Sequence, residues 1–293
     1  VKAFLFVLAA LFVVGCAKKE VPLPRPWGVH RYEFSMEPID VVVPCATKDK
    51  RTLDLCISAL KKQAQGIRRI IVVSKEPLTD QAEWFDEALY PFSKEDIARV
   101  IFSDNGAEAK SFLESPKTRA GWILQQLLKL YAPYVIPDIS SNVLIVDADV
   151  MLMEPVAFRT SVGEPYFNMG TEYHPPYFAH MARLLPGLRR VVQEHSGITH
   201  YMLFQRPVLT DLFAHLKMHH GVEPWIALCR SIDPEEVYGS CLSEYEIYFN
   251  FIQLRSDQAH LRRQKYIDVP DPRAAIIQYE HQGYSYITSH LYL

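Results

Sequence analysis

Residues 142–150 read NVLIVDADV and constrain the chain more than any other stretch. Four apolar residues (Val143, Leu144, Ile145, Val146) run without a polar break into Asp147, Ala148 and Asp149. An unbroken apolar run of this length suits a strand buried on both faces, as in parallel sheets. The chain leaving such a strand is delivered to the carboxyl edge of the sheet, where open α/β folds bind ligands. Two aspartates one residue apart at that edge offer hard oxygen ligands to Mg²⁺ or Mn²⁺, cations that also pair with phosphate oxygens. The same spacing also suits a solvated turn at a strand end, so its meaning depends on what surrounds it.

The surrounding pattern alternates. Residues 39–43 (IDVVV) read as a first strand, stopped by Pro44. Residues 52–63 have helical spacing at Leu53, Cys56, Ile57 and Leu60, and 67–73 (IRRIIVV) read as a second strand. Residues 100–102 are expected to form a short third strand. A helix is predicted over 116–131, with Pro133 and Pro137 breaking it before the strand that precedes Asp147. This alternation predicts an α/β fold with a doubly wound, mainly parallel sheet. After Asp149 the pattern becomes helix-rich. A short extended piece at 166–169 is followed by helices at about 176–185, 207–219, 224–230 and 243–254, then an aromatic, extended tail. Nothing resembling a linker separates the halves, so residues 37–293 read as one domain.

The chain of 293 residues is 49% hydrophobic and 22% charged, an ordinary balance that supports a sizeable core. Its formal net charge of −3 makes no electrostatic case for nucleic acid as a partner. At the N-terminus, Lys2 precedes twelve apolar residues and then Gly15-Cys16. The run is too short for an ordinary membrane span of about 20 residues and matches the apolar region of a secretory signal. Its ending resembles a bacterial lipobox, so residues 1–16 are expected to be a lipoprotein-type signal with Cys16 carrying lipid. The alternatives are an uncleaved short anchor, or a misassigned start with no processed signal, in which case the protein would be cytoplasmic. Residues 17–36 carry Pro22, Pro24 and Pro26 and are expected to be a tether. The other cysteines, Cys45, Cys56, Cys229 and Cys241, lack zinc-site spacing and are expected to be buried as small apolar residues.

Several polar residues are candidates for a site. Lys48 and Asp49 follow the first strand. The lysine is placed to meet a phosphate and the aspartate to accept from a ribose or base, or the two simply belong to a polar loop. Arg119 stands at the start of the 116–131 helix, where a cation opposes the helix dipole, a mild conflict that a ligand would explain. Gln125 and Lys129 are four apart and share a face of that helix. His200 is placed to orient a sugar hydroxyl or a metal-bound phosphate, or is a core histidine. Tyr173 and His174 are candidates for the acceptor side. Ser243 and Glu246 have the spacing of a capping box, which gives Glu246 a structural task. Glu244, on an apolar face with Tyr248 and Phe251, is the candidate catalytic base.

Five segments occur in a fixed order: PIDVVVPCATKD (38–49), RAGWILQQLLKL (119–130), VLIVDADV (143–150), SGITHYMLFQRPVL (196–209) and SEYEIYFNF (243–251). Together they resemble a bacterial family of uncharacterised proteins assigned to the GT-A glycosyltransferase clan, over about residues 38–258. The resemblance implies a GT-A-like (nucleotide-diphospho-sugar transferase) fold with a nucleotide half, 37–150, and an acceptor half, 151–293. It implies that Pro44, Thr47, Lys48 and Asp49 hold the base and ribose of a nucleotide-sugar donor. Asp147 and Asp149 would hold Mn²⁺ or Mg²⁺ with the diphosphate, and a late histidine, His281 or His290, would complete the metal shell.

Three function classes follow from these expectations. The first is a metal-dependent glycosyltransferase acting on a glycan or other hydroxyl acceptor. The second is a non-catalytic envelope lipoprotein that binds glycan or nucleotide on the same scaffold. The third, metal-assisted phosphotransfer or phosphodiester hydrolysis, is disfavoured because the chain shows neither a second His/Asp cluster nor a Walker-type loop.

Overall fold

Each apolar run of the first half becomes a strand because helices cover both faces of the sheet it enters. The computed structural model describes residues 25–290. The expected leader with Cys16, and residues 17–24 of the expected tether, lie outside the described residues. In chain order the first half contains β1 (Ile39–Pro44), α1 (Lys50–Gln63), β2 (Ile67–Ser74), β3 (Glu83–Asp86), α2 (Lys94–Ile101), α3 (Gly106–Glu114), α4 (Ala120–Val135) and β4 (Asn142–Val146). The second half continues with β5 (Val150–Leu152), β6 (Tyr166–Asn168), α5 (Pro175–Leu184), β7 (Tyr201–Gln205), α6 (Arg206–His220), α7 (Pro224–Arg230) and α8 (Glu244–Arg255). It closes with β8 (His260–Arg262), β9 (Tyr266–Asp268), α9 (Pro272–Gln278) and β10 (Tyr286–Thr288).

The main sheet has the order β3-β2-β1-β4-β7, parallel throughout except for β7 against β4. Two small sheets, β5-β10-β9 and β6-β8, lie in the second half. This is the doubly wound, mainly parallel arrangement expected, with a helix-rich second half. Alternate strand residues enter opposite cores. Val42, Ile71, Val73, Val143 and Ile145 pack with α2, α4, α6 and α8. Val41, Val43, Ile70, Val72, Leu144 and Val146 pack with α1 and β5. Burial on both faces is why these strands are apolar without alternation.

Four local readings change. Residues 100–102 do not form a strand. Ser93 and Asp96 close a capping box, and α2 then buries Ile97, Ala98 and Ile101. The strand at that edge of the sheet is β3, half exposed and therefore lacking an apolar run. Helix α4 begins at Ala120, not Pro116, and passes through Pro133. The proline sits in the last turn, where little helix follows it. The run from Tyr201 to Gln205, a single fully buried strand, carried no recognisable period.

The N-terminal stretch read as tether lies against the domain from Trp27 onward. The Trp27 ring centroid is 5.4 Å from that of Phe251, and buried Tyr32 donates its hydroxyl to Asp211 Oδ2 at 2.7 Å. Among the described residues no helix is long and apolar enough to cross a membrane.

Candidate functional site

In a doubly wound sheet the ligand crevice opens where the strand order reverses, between the strands whose crossovers leave in opposite directions. Here that point lies between β1 and β4, which are neighbours although β2, β3 and α1 to α4 separate them in sequence. The residues leaving β1 are Cys45 to Asp49, and those leaving β4 are Asp147 to Asp149. A cleft of about 820 Å³ opens there, lined by Pro44, Lys48, Asp49, Arg119, Gln125, Asp147, Asp149, His200 and Glu244 among others. A side pocket of about 450 Å³ adjoins it and contains Thr47.

Sheet register brings distant residues to this spot. Val146 pairs with Tyr201 across the antiparallel β4–β7 ladder, so His200 stands beside Asp147, whose amide donates to the His200 carbonyl at 3.0 Å. Asp147 and Val150 close a tight turn, with the Val150 amide donating to the Asp147 carbonyl at 3.2 Å. In the second sheet Val150 pairs with Thr288, so the residues after β10 pass Asp149, and the Ser289 amide donates to the Asp149 carbonyl at 3.1 Å. Thr288 also pairs with Asp268 of β9.

The result is a cluster of carboxylates and imidazoles. His290 Nδ1 lies 2.8 Å from Asp149 Oδ2, and His290 Nε2 lies 3.4 Å from Asp268 Oδ1. The donor atoms of His200, Asp268 and His290 all fall within 4.8 Å of one another. Asp149 Oδ1 is buried without a hydrogen-bond partner, an acceptor suited to a cation. Burial opposes charge on Asp149 and His290 alike. Their mutual hydrogen bond and attraction win, holding the Asp149 carboxyl below its ordinary value and His290 above its own. Burial first, and His290 second, push His200 down to about 4, which leaves a neutral imidazole. Burial, with Asp149 nearby, raises the Asp268 carboxyl. Oxygen and imidazole donors together fit a first-row divalent ion, Mn²⁺ better than Mg²⁺. Binding one would displace the proton that His290 holds between two carboxylates. Of the two histidines left open by the sequence, His290 lies at the cluster, whereas His281 is exposed with Glu280 beside it.

A second feature is the polar stripe of α4. Trp122, Gln125, Gln126 and Lys129 recur at helical spacing and face the cleft. Lys129 is buried at 3% exposure, with Nζ 2.6 Å from Asp147 Oδ1 and 2.8 Å from Glu244 Oε1. Burial works against its charge, but Asp147 and Glu244 outweigh it, and the ammonium stays protonated. Glu244 is as deeply buried at 1% exposure, and its carboxyl is raised by burial, with Lys129 opposing the rise. Lys129 was legible only as a partner of Gln125. The signal that it matters is a lone charged residue between apolar neighbours, Leu127, Leu128, Leu130 and Tyr131, in the helix. Asp268 carried no sequence signal at all.

Other residues stand differently from expectation. Ser243 Oγ does accept from the Glu246 amide at 3.2 Å, but the Glu246 carboxylate does not return to the Ser243 amide. It accepts from Ser196 Oγ and, at 2.8 Å, from Asn250 Nδ2. The box is half formed because the buried loop before β7 offers a closer donor. That loop lies tight on α8: a Cβ on Gly197 would meet Phe249 Cβ at 2.6 Å. Thr47 turns to Glu76, its hydroxyl donating at 3.1 Å. Tyr173 is exposed and stacks on Phe178, and His174 contacts the Ser240 carbonyl at 2.7 Å, so neither lines the cleft, whereas Glu172 does.

Fold and site together define an α/β protein with an acid- and imidazole-lined cleft at the switch point of its sheet. The chain belongs to a family of unknown function, DUF6492, whose profile matches residues 36–282. No curated protein sequence matches it. In structure it is similar to the WbbM bifunctional glycosyltransferase in its apo form, with a TM-score of 0.43 and 8% identity. That likeness covers 89% of this chain and 47% of the other, so the chain spans about half the length of the protein it matches.

Proposed function

We propose that the protein is a metal-dependent glycosyltransferase that moves a sugar from a nucleotide-sugar donor to a hydroxyl acceptor, an envelope glycan being the leading candidate. The observation that carries this reading is the Asp147-Ala148-Asp149 turn at the sheet's switch point, with His290 set against Asp149. Asp149 and His290 would hold Mn²⁺, with His200 and Asp268 in reach and Asp147 beside them. When bound, the ion would stabilise charge on the departing diphosphate. The remaining work falls to side chains. Lys48 at the rim meets phosphate oxygens, and Asp49, Pro44, Thr47, Gln125 and Arg119 hold the nucleoside end. Glu244 accepts the acceptor's proton if the enzyme inverts, or positions the acceptor if it retains; its raised pKa suits a base. Anchoring at a membrane through lipidated Cys16 belongs to the same reading and rests on the sequence alone.

A second reading is a non-catalytic protein that binds nucleotide or glycan on this scaffold. The bond between Glu244 and Lys129 favours it, because that carboxylate is satisfied without a substrate. One experiment separates the readings. Nucleoside diphosphates and nucleotide sugars are screened by thermal shift with and without Mn²⁺, and the stabilising donor is then followed for sugar release. Metal-dependent stabilisation with release supports the transferase, stabilisation without release supports the binding protein, and neither removes both.

A further inference from the structure

The side pocket beside the main cleft has an electrostatic character that the donor reading does not explain. Lys48, Lys75, Lys94 and Arg119 converge on it, against only the carboxylates of Asp49 and Glu87. Two of the cations occupy places that disfavour positive charge. Arg119 is the N-cap residue of α4 and makes no side-chain capping bond. Lys94 is the first residue of α2, and its ammonium lies against the first turn of α4. The ideal Cβ of Gly121 would stand 3.3 Å from Lys94 Nζ, so the glycine leaves room for that ammonium. Helix N-termini carry partial positive charge, so two cations gathered at the start of a 16-residue helix repel it and each other. Half-buried Arg119 donates from Nη2 to Ser240 Oγ at 3.2 Å and lies over the Trp122 ring, but its Nε is buried without a hydrogen-bond partner. Glu87 lies close enough for Lys75 and Lys94 to lower its carboxyl, against a larger rise from burial, but it leaves the pocket cationic.

We propose that this pocket is an anion subsite, in which Lys94, Lys75 and Arg119 bind a phosphate-class group at the start of α4, independently of the metal cluster. Lys48 lines both cavities and joins the subsite to the main cleft. A tetrahedral oxyanion accepts several charge-assisted hydrogen bonds at once and neutralises the helix end, which resolves the conflict in the empty arrangement. The inference rests on the transferase reading only in taking the group to be part of the donor. That donor would then carry a phosphoryl group at its nucleoside end in addition to the diphosphate at Asp149. Free phosphate would satisfy the same chemistry.

The test is a titration of full-length protein in EDTA with inorganic phosphate and, separately, with a nucleoside 3′,5′-bisphosphate and the matching 5′-monophosphate. Calorimetry and thermal shift report the binding. Metal-free binding that weakens with added sodium chloride is expected. Lys94→Gln should weaken it about 10-fold or more, the scale of losing one charge-assisted bond. Gly121→Ala is the companion variant. Its added Cβ crowds the ammonium while favouring the helix, so affinity should fall modestly with an unchanged or higher Tm. Asp149→Asn should leave this binding intact. Preference for the bisphosphate over both other probes identifies the donor as the source, and equal affinity for inorganic phosphate identifies the free ion. Binding that needs Mn²⁺, vanishes in Asp149→Asn and ignores Lys94→Gln would overturn the subsite while leaving the transferase reading in place. No metal-free binding of any probe would overturn it as well.

Discussion

Lys129 and Asp147 face each other across the floor of the cleft, ammonium to carboxylate at 2.6 Å, and Glu244 holds the other side of the same ammonium. One buried cation therefore serves two acids. Removing it leaves two carboxylates in a poorly solvated place. Lys129→Met is expected to destabilise the protein by about 3–5 kcal/mol, the range for breaking a buried pair. Urea unfolding measures it. Adding Glu244→Leu to Lys129→Met should restore part of the loss, and a double mutant no better than the single would refute the coupling.

Asp149 and His290 should matter to metal, and His281 should not. Asp149→Asn is expected to abolish Mn²⁺-dependent nucleotide binding with little loss of fold. His290→Ala should weaken Mn²⁺ affinity by about 10- to 100-fold, the scale seen when groups at or around a metal are lost. Asp147→Asn should weaken nucleotide binding too. Calorimetric Mn²⁺ titration of the variants is the check. Full affinity in both aspartate variants would remove the metal site, and a loss in His281→Ala would show that the wrong histidine was assigned.

The two acids at the start of α8 should separate cleanly. Glu244→Gln is expected to lower turnover by about 10²-fold, on the scale of general-base effects. Glu246 is buried among Ser196, Asn250 and the loop before β7, so Glu246→Gln should act on stability, by about 1–3 kcal/mol, more than on turnover. Turnover and Tm measured on both variants decide it. The reverse ranking would assign the chemistry to Glu246.

Stability should fall with acid before the carboxylates titrate. Burial pushes His180 down to about 4 from an ordinary 6.5, its Nε2 lying 3.0 Å from the Leu228 carbonyl. The unfolded chain therefore binds a proton that the folded one refuses. Stability is full above about pH 6.5 and declines as pH falls toward 4, by about 3 kcal/mol from this group. His200 adds a parallel part, since burial also takes it to about 4. His180→Gln keeps an amide donor and removes one titration, so its stability should fall less between pH 6.5 and 4 when followed by urea midpoints. An unchanged slope would place the acid sensitivity elsewhere.

The first half of the fold was readable because its strands are buried on both faces, and such strands announce themselves as unbroken apolar runs. β1, β2 and β4 fall where that rule puts them, and α1, α6, α7 and α8 begin and end within about two residues of where the sequence places them. The rule failed where packing was one-sided or the strand short. β3 is half exposed, and β7 is five residues whose role depends on its pairing with β4. The candidate residues from β1, α4, β4 and α8 do line one cleft, because adjacency at the switch point follows from strand order. What could not be read was set by register between distant segments. The choice of His290, the presence of Asp268, the pairing of Lys129 and the approach of Lys94 to Gly121 all depend on contacts across the chain. Glu246 shows the opposite error, a local motif overridden by a tertiary partner.

The metal cluster is late in a temporal sense. Asp149 waits for a partner 141 residues further on, carried just past β10. During synthesis the main sheet's strands, β1 to β4 and then β7, emerge from the ribosome long before that last short strand. His290 is therefore the last of the cluster's residues to be delivered. Docking of β10 between β5 and β9 is the event that completes the cluster. On the transferase reading, the proposed ion site is assembled only by that last docking step.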